Sequence, residues 1–210
     1  MEQYRSVSSE VSRLITKRYS TSFSIATMLF GRKTRPHIYN IYGLVRVADE
    51  IVDTYSGKDA LGLLDDFEEE VKQALTRRYS TNPVIQAFVD TASTFNIGPD
   101  LIEPFFKSMR IDTSKKSYTQ KEYEEYIFGS AEVVGLMCLK VFSFGNDDEY
   151  KKLQQGAKAL GSAFQKVNFL RDMAADQNNL GRYYFPVGDF ESFDEEIKKQ
   201  IIKDIESDFE

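Results

Sequence analysis

Polar side chains at regular spacing lie inside an otherwise apolar run that begins at Tyr42. Asp49 and Asp53 are four residues apart, and Arg46 precedes the first of them by about one turn. At 3.6 residues per turn, this spacing places the two carboxylates about 40° apart around a helix and ~6 Å apart along it, so both face the same way. The alternative is a solvated helix face with an Arg–Asp ion pair, worth about 0.3 kcal/mol.

A second polar stripe of the same kind occurs further along the chain. Asn168, Asp172 and Asp176 recur every four residues, with Gln165 about one turn earlier and Arg171 beside the first aspartate. Such a stripe is costly when it faces a dry core without partners, but not when it faces cations. One Asp-x-x-x-Asp match is common in helices, whereas two in one chain, each with a nearby arginine, are much rarer.

These residue types suit the binding of divalent cations and, through the cations, of phosphate. Hard cations take oxygen ligands, and Mg²⁺ prefers one or two carboxylates together with waters and substrate phosphates. If the two helices face each other across a bundle cavity, we expect their carboxylates to hold two or three Mg²⁺ ions, and the ions to hold a diphosphate. Arg46 and Arg171 would donate charge-assisted hydrogen bonds to the same phosphate oxygens.

Five sequence blocks occur in a diagnostic order. They are Ser20-Thr21-Ser22-Phe23, Tyr42 with Arg46 to Asp53, Tyr126 to Gly135, Asn168 to Asp172, and Gly181-Arg182-Tyr183-Tyr184-Phe185-Pro186. In these blocks, residues 15–186 resemble the squalene/phytoene synthase family. The two aspartate blocks and the Gly-Arg-x-Tyr-x-Pro block make the resemblance specific. Glu50 is a mild departure, because many relatives have another aspartate there.

The resemblance implies a fold and an activity. Family members have the all-helical class I isoprenoid synthase fold, a bundle around a central cavity, and join two prenyl diphosphates head to head with Mg²⁺. We therefore expect two identical allylic substrates, farnesyl or geranylgeranyl diphosphate, to condense through a cyclopropyl diphosphate to squalene, dehydrosqualene or phytoene. A reductive second step would need NADPH, and it would bind without a glycine-rich dinucleotide motif, because the sequence contains none.

Motif position implies a role for each matching residue. The residues expected to act in catalysis are Tyr42, Arg46, Asp49, Asp53, Arg171, Asp172 and Asp176. The expected metal ligands are Asp49, Asp53, Asn168, Asp172 and Asp176. The expected substrate-binding residues are Ser20, Ser22, Phe23, Tyr126, Val134, Gly135, Ala157, Leu160, Gln165, Asn168, Arg182 and Tyr184. Within the last set, Ser20 and Ser22 match the phosphate end, and the positions from Tyr126 to Gln165 resemble the lining of the hydrocarbon channel.

Small residues near these positions, among them Gly129 and Gly161, would leave room for an isoprenoid tail or would allow close packing of helices.

Two other functions also stay open. Another class I terpenoid synthase would share the aspartates but not the Gly-Arg-x-Tyr-x-Pro block. A noncatalytic family member, acting as an assembly or binding module, would tend to lose the metal-binding aspartates, and all four are present here.

The elements that must position these residues are helices. Apolar residues recur at helical spacing and strict alternation is rare, which predicts one all-α domain over residues 1–210. Asn82-Pro83 is a helix-start signal, and capping boxes are expected at Thr119 and Ser192. The predicted helices span residues 5–18, 20–29, 35–54, 59–79, 83–95, 100–110, 120–143, 148–178 and 193–206.

Composition excludes several classes of partner. Acidic residues outnumber basic ones by 33 to 27, a net charge of −6, which argues against nucleic-acid binding. The sequence has a single cysteine, no secretory signal and no long apolar run, which together predict a cytoplasmic protein. A lipidic substrate and product would bring it to a membrane surface as a peripheral protein, although no basic amphipathic helix requires this. The lone Cys138 and the only histidine, His37, are expected to be structural.

The end of the chain departs from the family pattern. Relatives continue through several more helices that complete the bundle, whereas this sequence ends at Glu210. The apparent lack of the last helices is expected to leave an exposed apolar surface on the last helices present.

Overall fold

The computed structural model describes residues 1–55, 57, 59–113, 117–187 and 191–210, except for the side chains of residues 179 and 180. In these ranges the helices are α1 (Glu2–Tyr19), α2 (Thr21–Met28), α3 (Arg35–Asp53), α4 (Ala60–Arg77), α5 (Pro83–Phe95), α6 (Pro99–Asp112), α7 (Gln120–Ile127), α8 (Val133–Phe142), α9 (Asp147–Leu180) and α10 (Glu195–Phe209). The same ranges contain no β-strand, only an isolated bridge between Ser117 and Tyr183. The predicted all-α fold is confirmed.

Helix ends lie within three residues of the predicted positions because most of the start signals are correct. The Asn82 side chain accepts a hydrogen bond from the Val84 backbone N–H at 3.0 Å, just before Pro83 fixes the first helical φ. The Thr119 hydroxyl and the Glu122 carboxylate form the expected capping box at the start of α7.

The predicted capping box at Ser192 is wrong. Asp194 caps α10 instead, and its carboxylate accepts hydrogen bonds from the backbone N–H groups of Glu196 and Ile197, each at 2.9 Å. The helix therefore begins at Glu195, two residues later than predicted. Two acceptor side chains close together in the sequence compete for the cap, and only the three-dimensional path of the chain decides between them.

The predicted helix over residues 120–143 is interrupted by a π-helical turn at Phe128–Glu132, between α7 and α8. Such a turn accommodates one extra residue in the helical ladder. Side chains eight residues apart, such as Tyr126 and Val134, differ by about 80° on a regular α-helix but by only about 20° across this turn. The turn therefore brings these two expected channel residues near one face, which apolar periodicity alone does not predict.

The chain divides into two compact units. The first contains residues 1–100 and 137–151, and the second contains residues 101–136 and 152–210. The expectation of a single domain stays a prediction.

In the first unit, α3 packs against α1 and α5 and buries much of its apolar face. Ile38, Ile41 and Leu44 are among its buried side chains. At Gly43, α1 approaches so closely that an added β-carbon would lie 2.8 Å from the hydroxyl oxygen of Ser12. This contact fixes the rotation of α3, and therefore the direction of its polar face.

The lone histidine and the lone cysteine both have structural surroundings, as predicted. The Nδ1 atom of His37 lies 3.0 Å from the hydroxyl oxygen of Thr91, its ring packs edge-on against Phe95, and burial lowers its pKa. Burial raises the pKa of the Cys138 thiol to about 12. A thiol with that pKa carries little thiolate near neutral pH and is poorly nucleophilic.

In the second unit, an aromatic core surrounds the segment that follows α9. Its buried rings are Tyr118, Tyr123, Tyr126, Phe169, Tyr183, Tyr184 and Phe185. The last helix, α10, is attached by charge as well as by apolar contacts. The Lys166 ammonium is almost fully buried and lies 2.6 Å from Asp204 and 2.8 Å from Asp208, which also accepts a hydrogen bond from Ser162.

Three glycines of the second unit allow helices to approach closely. An added β-carbon would lie 2.4 Å from the Pro104 carbonyl oxygen at Gly129, 2.7 Å from that of Ala157 at Gly135, and 2.8 Å from that of Ala131 at Gly161. Of the two roles considered for these small residues, close helix packing is the one that their surroundings support. The expectation that they also leave room for an isoprenoid tail stays a prediction.

Several apolar side chains are exposed on α9. Phe164 is 58% exposed, and Leu160 and Val167 are also exposed on the same helix. In the part of the chain that the structure describes, no helix has an apolar stretch long enough to span a membrane.

We predict that Gly161→Ala lowers the free energy of unfolding by about 1–3 kcal/mol, because the new methyl group would collide with the Ala131 carbonyl. Gly156→Ala is the matched control on the same helix. Nothing lies within 4 Å of an added β-carbon there, so the change should raise stability by about 1 kcal/mol. Urea unfolding followed by circular dichroism measures both. Equal midpoints for the two variants would contradict the close approach.

Candidate active site

Each of the two units carries one of the predicted polar stripes, and we call each stripe with its neighbouring residues a half-site. The first half-site lies on α3, where Tyr42, Arg46, Asp49 and Asp53 follow one another at spacings of four, three and four residues. These spacings place all four side chains on one side of the helix. Because the opposite side is buried, the polar side faces outward, with the Asp49 side chain 36% exposed.

The junction between α1 and α2 adds the predicted Ser-x-Ser-Phe element to this half-site. Ser20 is extended at φ −143° and caps α2, its hydroxyl oxygen accepting a hydrogen bond from the Phe23 backbone N–H at 3.3 Å. The Phe23 ring stacks on the Tyr42 ring at 4.7 Å between centroids. The Tyr42 side chain also hydrogen-bonds to Ser20. Ser22 lies on the exposed side of α2.

Burial raises the pKa of Tyr42 above its ordinary value, more than the hydrogen bond to Ser20 and the nearby Arg46 guanidinium lower it. The phenol is therefore protonated near neutral pH. A protonated phenol beside an arginine can donate a hydrogen bond to an anionic ligand.

Arg46 is held in place by three groups. Its Nη1 atom lies 3.2 Å from Asp49 Oδ2, its Nη2 atom donates to Glu50 Oε1, and its guanidinium lies over the Tyr19 ring at 4.6 Å. Glu50 also accepts a hydrogen bond from the Thr54 hydroxyl. Glu50 was not among the residues expected to act in the site, although its spacing of four residues from Arg46 is that of a helical ion pair.

The second half-site lies on α9. Asn168, Asp172 and Asp176 follow at intervals of four residues on this 34-residue helix, so the predicted stripe is formed. Arg171 turns onto its neighbour, with its Nε atom 2.7 Å from Asp172 Oδ1 and a second nitrogen on Oδ2. The Asp172 side chain is 43% exposed. Both half-sites thus pair an arginine with the first aspartate of an Asp-x-x-x-Asp motif.

At the end of α9 the chain turns back, so that the following segment stays close to the last turn of α9. Gly181 has a φ of +65°, in the left-handed region that favours glycine, and its N–H donates to the Gln177 carbonyl. The next backbone N–H, that of Arg182, donates to the Asp176 carbonyl at 3.3 Å. The Gly-Arg-x-Tyr-x-Pro segment is therefore attached directly to the turn that carries Asp176.

Asp112, at the end of α6, organises this segment and was missed by sequence analysis. Its buried carboxylate accepts hydrogen bonds from the hydroxyls of Tyr118 at 3.0 Å, Tyr184 at 3.5 Å and Tyr126. Tyr184 in turn accepts a hydrogen bond from the buried Arg182 at 3.4 Å. Desolvation is the main cause that raises the pKa of all three tyrosines, so their hydroxyls stay protonated and donate.

Stacking reinforces the same arrangement, since the Tyr184 ring lies parallel to Phe169 at 4.1 Å. The structure therefore places three expected substrate-binding side chains, those of Tyr126, Arg182 and Tyr184, in a buried network of protein groups. The sequence carries no local signal for Asp112, because the predicted helix ends at residue 110 and Tyr184 is 72 residues away.

The remaining expected channel residues have mixed surroundings. Val134 and Gln165 are half-buried and Leu160 is exposed. Gly135 lies against the backbone of Ala157, so that pair serves helix packing.

The carboxylates of each half-site fit Mg²⁺ as a ligand set. They are hard oxygen donors, two per helix face, and they are accessible rather than buried. In the described ranges, no group of three His, Cys, Asp or Glu side chains could hold a metal ion together. Two carboxylates per face match the preference of Mg²⁺ for few protein ligands together with waters and phosphate oxygens.

Comparison with known proteins supplies the family. Residues 16–203 match the family model described as squalene/phytoene synthase. The chain belongs to the squalene/phytoene synthase family. It is 32% identical over 200 residues to a phytoene synthase of Arthrospira platensis, covering 90% of this chain and 64% of that protein. It is 28% identical over 196 residues to a 4,4'-diapophytoene synthase of Staphylococcus haemolyticus, covering 92% and 67%.

Solved structures agree with this assignment. A squalene synthase from Alicyclobacillus acidocaldarius superposes with a TM-score of 0.81 at 25% identity, over 96% of this chain and 80% of that one. A dehydrosqualene synthase in complex with ligand superposes with a TM-score of 0.83 at 22% identity, over 98% and 76%. The predicted class I isoprenoid synthase fold is confirmed. The chain spans about two thirds of the length of the curated relatives described above.

We predict that Asp112→Asn lowers the free energy of unfolding by about 2–3 kcal/mol, because three buried hydroxyls lose a charged acceptor. Asp100→Asn, at the exposed first turn of the same helix, is the matched control and should change stability by less than about 0.5 kcal/mol. Urea midpoints measure both variants. The role given to Asp112 is wrong if its variant unfolds at the midpoint of the control.

Proposed function

We propose that this chain is a Mg²⁺-dependent prenyltransferase that joins two identical allylic prenyl diphosphates head to head. The observation that carries the proposal is the repeated arrangement on α3 and α9, in which an accessible Asp-x-x-x-Asp face is paired with an arginine, in a chain of the squalene/phytoene synthase family. Relatives named phytoene synthase and diapophytoene synthase support a substrate of isoprenoid length.

The ligands proposed for the metal ions are the four aspartates with Asn168. When bound, Mg²⁺ would make the diphosphate a better leaving group and favour ionisation of the allylic C–O bond. Arg46 and Arg171 are paired with Asp49 and Asp172 in the structure. With these carboxylates holding cations, each guanidinium would be available to donate to phosphate oxygens. The arginines would thus offset the charge of the aspartates without cations and bind the leaving group when cations are present.

Hydrogen-bond donors at the α1–α2 junction would complete the diphosphate site. The protonated Tyr42 phenol lies beside Arg46, and its contact with Ser20 connects it to the α2 start. Such preorganised donors stabilise charge that develops on a departing oxygen more than water does. The first product expected is a cyclopropyl diphosphate. Its ionisation, which is the second of the reaction, would use the same donors.

Protection of the carbocation would come from apolar side chains, because water would trap the cation as an alcohol. Phe23, which stacks on Tyr42, and the half-buried Val134 are proposed to contact the isoprenoid tail. Tyr126, Arg182 and Tyr184 act from their buried network as positioning residues for the turn that carries Asp176.

We predict that Asp172→Asn reduces prenyl transfer at least a hundredfold while the circular dichroism spectrum is unchanged, because the change removes charge but little volume. Incubation with Mg²⁺ and radiolabelled farnesyl or geranylgeranyl diphosphate, followed by extraction into organic solvent, measures the product. Asp148→Asn, an exposed position on the same helix, is the matched control and should leave turnover unchanged. No organic-soluble product from either substrate with the folded protein would refute the proposed function.

We predict that binding of a prenyl diphosphate to this chain depends on Mg²⁺ even when no turnover takes place. Titration calorimetry with an unreactive thiodiphosphate analogue should show heat only when Mg²⁺ is present, and Asp49→Asn and Asp172→Asn should each abolish it. Metal-independent binding, or none, would instead favour the noncatalytic binding module.

A further inference from the structure

Charge is strongly segregated along this acidic chain. Residues 11–48 contain seven basic residues and no acidic one, although the whole chain has a net charge of −6. Arg32 and Lys33 from this segment are exposed in the turn between α2 and α3. Within the part of the chain that the structure describes, neither forms an ion pair. A local basic surface on an acidic protein indicates an anionic partner.

The same turn presents apolar side chains to solvent. Leu29 is 85% exposed, and Ile25 and Met28 are exposed on the adjoining end of α2. We call these three residues with Arg32 and Lys33 the apolar–basic tip. Exposure of one large apolar side chain is ordinary, whereas several together beside basic residues mark an interaction surface.

The backbone of the tip is held rigidly. The Arg35 Nη2 atom donates to the Met28 carbonyl at 2.6 Å and to the Phe30 carbonyl at 2.8 Å. The Phe30 ring packs on Phe142 at 5.0 Å between centroids. Because these contacts fix the residues on both sides of Leu29, the conformation of the turn itself exposes the Leu29 side chain to solvent.

We propose that the apolar–basic tip docks this chain onto a lipid bilayer that contains anionic headgroups. Exposed apolar side chains flanked by Lys and Arg bind such interfaces by inserting apolar groups below the headgroups while the cations stay among the phosphates. The basic charge of this surface complements anionic headgroups, whereas two copies of this chain would repel each other if they paired through the same surface. The proposal is independent of the proposed function, since neither substrate nor metal takes part.

Nearby charges limit the docking surface to this turn. Phe144 is also exposed, at the turn between α8 and α9, but three acidic residues follow it at positions 147–149. Lys140 lies 3.8 Å from one of them, Asp147. Anionic lipid would be repelled there, so we assign no docking role to Phe144.

Co-sedimentation with vesicles tests the proposal, using phosphatidylcholine alone or mixed with phosphatidylglycerol, without substrate and without Mg²⁺. The chain should bind the mixed vesicles and not the neutral ones, and added salt should weaken binding. Leu29→Ser should reduce the partition coefficient about tenfold. The double variant Arg32→Ser/Lys33→Ser should reduce it about 30-fold.

Matched controls are Leu61→Ser, at an exposed leucine of α4, and Lys151→Ser/Lys152→Ser, at an exposed basic pair of α9. Both should bind as the parent does. Equal binding to neutral and anionic vesicles, or a loss as large in the controls as in the tip variants, would overturn the proposal. The proposal would also be overturned if light scattering showed that the parent is a dimer and that the Leu29→Ser variant is a monomer. Thermal unfolding confirms that each variant is folded.

Discussion

Two aspartates on one helix face repel each other, and in both half-sites an arginine offsets that repulsion. Arg46 lies against Asp49 on α3, and Arg171 lies against Asp172 on α9. Both pairs are accessible, so the energy of each pair is small and the charges can change partners. A deeply buried pair would have been too costly to separate during a reaction cycle. The proposed function depends on this exchangeability.

The helices can present these charges only because their other faces are fixed. On α3, burial of apolar side chains and the approach of Ser12 to Gly43 set the rotation of the helix. On α9, Gly161 allows close contact with the π-helical turn, and the Lys166 ammonium joins the helix to α10. Rigid packing on one side and accessible charge on the other are therefore two properties of the same helix.

The segment after α9 is held by groups that the proposed chemistry does not use directly. The Asp112 carboxylate gathers three tyrosine hydroxyls, and Tyr184 carries this network to Arg182. Because the Arg182 backbone N–H also caps the turn at Asp176, a buried cluster far from Asp176 in sequence supports an accessible aspartate. Positioning residues of this kind are as necessary to a site as its ligands.

Sequence by itself determined the helices and the two polar stripes, because a period of 3.6 residues decides which side chains share a face. It also determined the caps at Asn82 and Thr119, whose partners lie within three residues. Tertiary structure alone decided the role of Asp112, whose partner Tyr184 is 72 residues away. It also decided that Gly129 and Gly161 serve packing and that a π-helical turn separates α7 from α8. Local spacing determines what neighbours along the chain can do, whereas contacts between distant segments depend on how the whole chain packs.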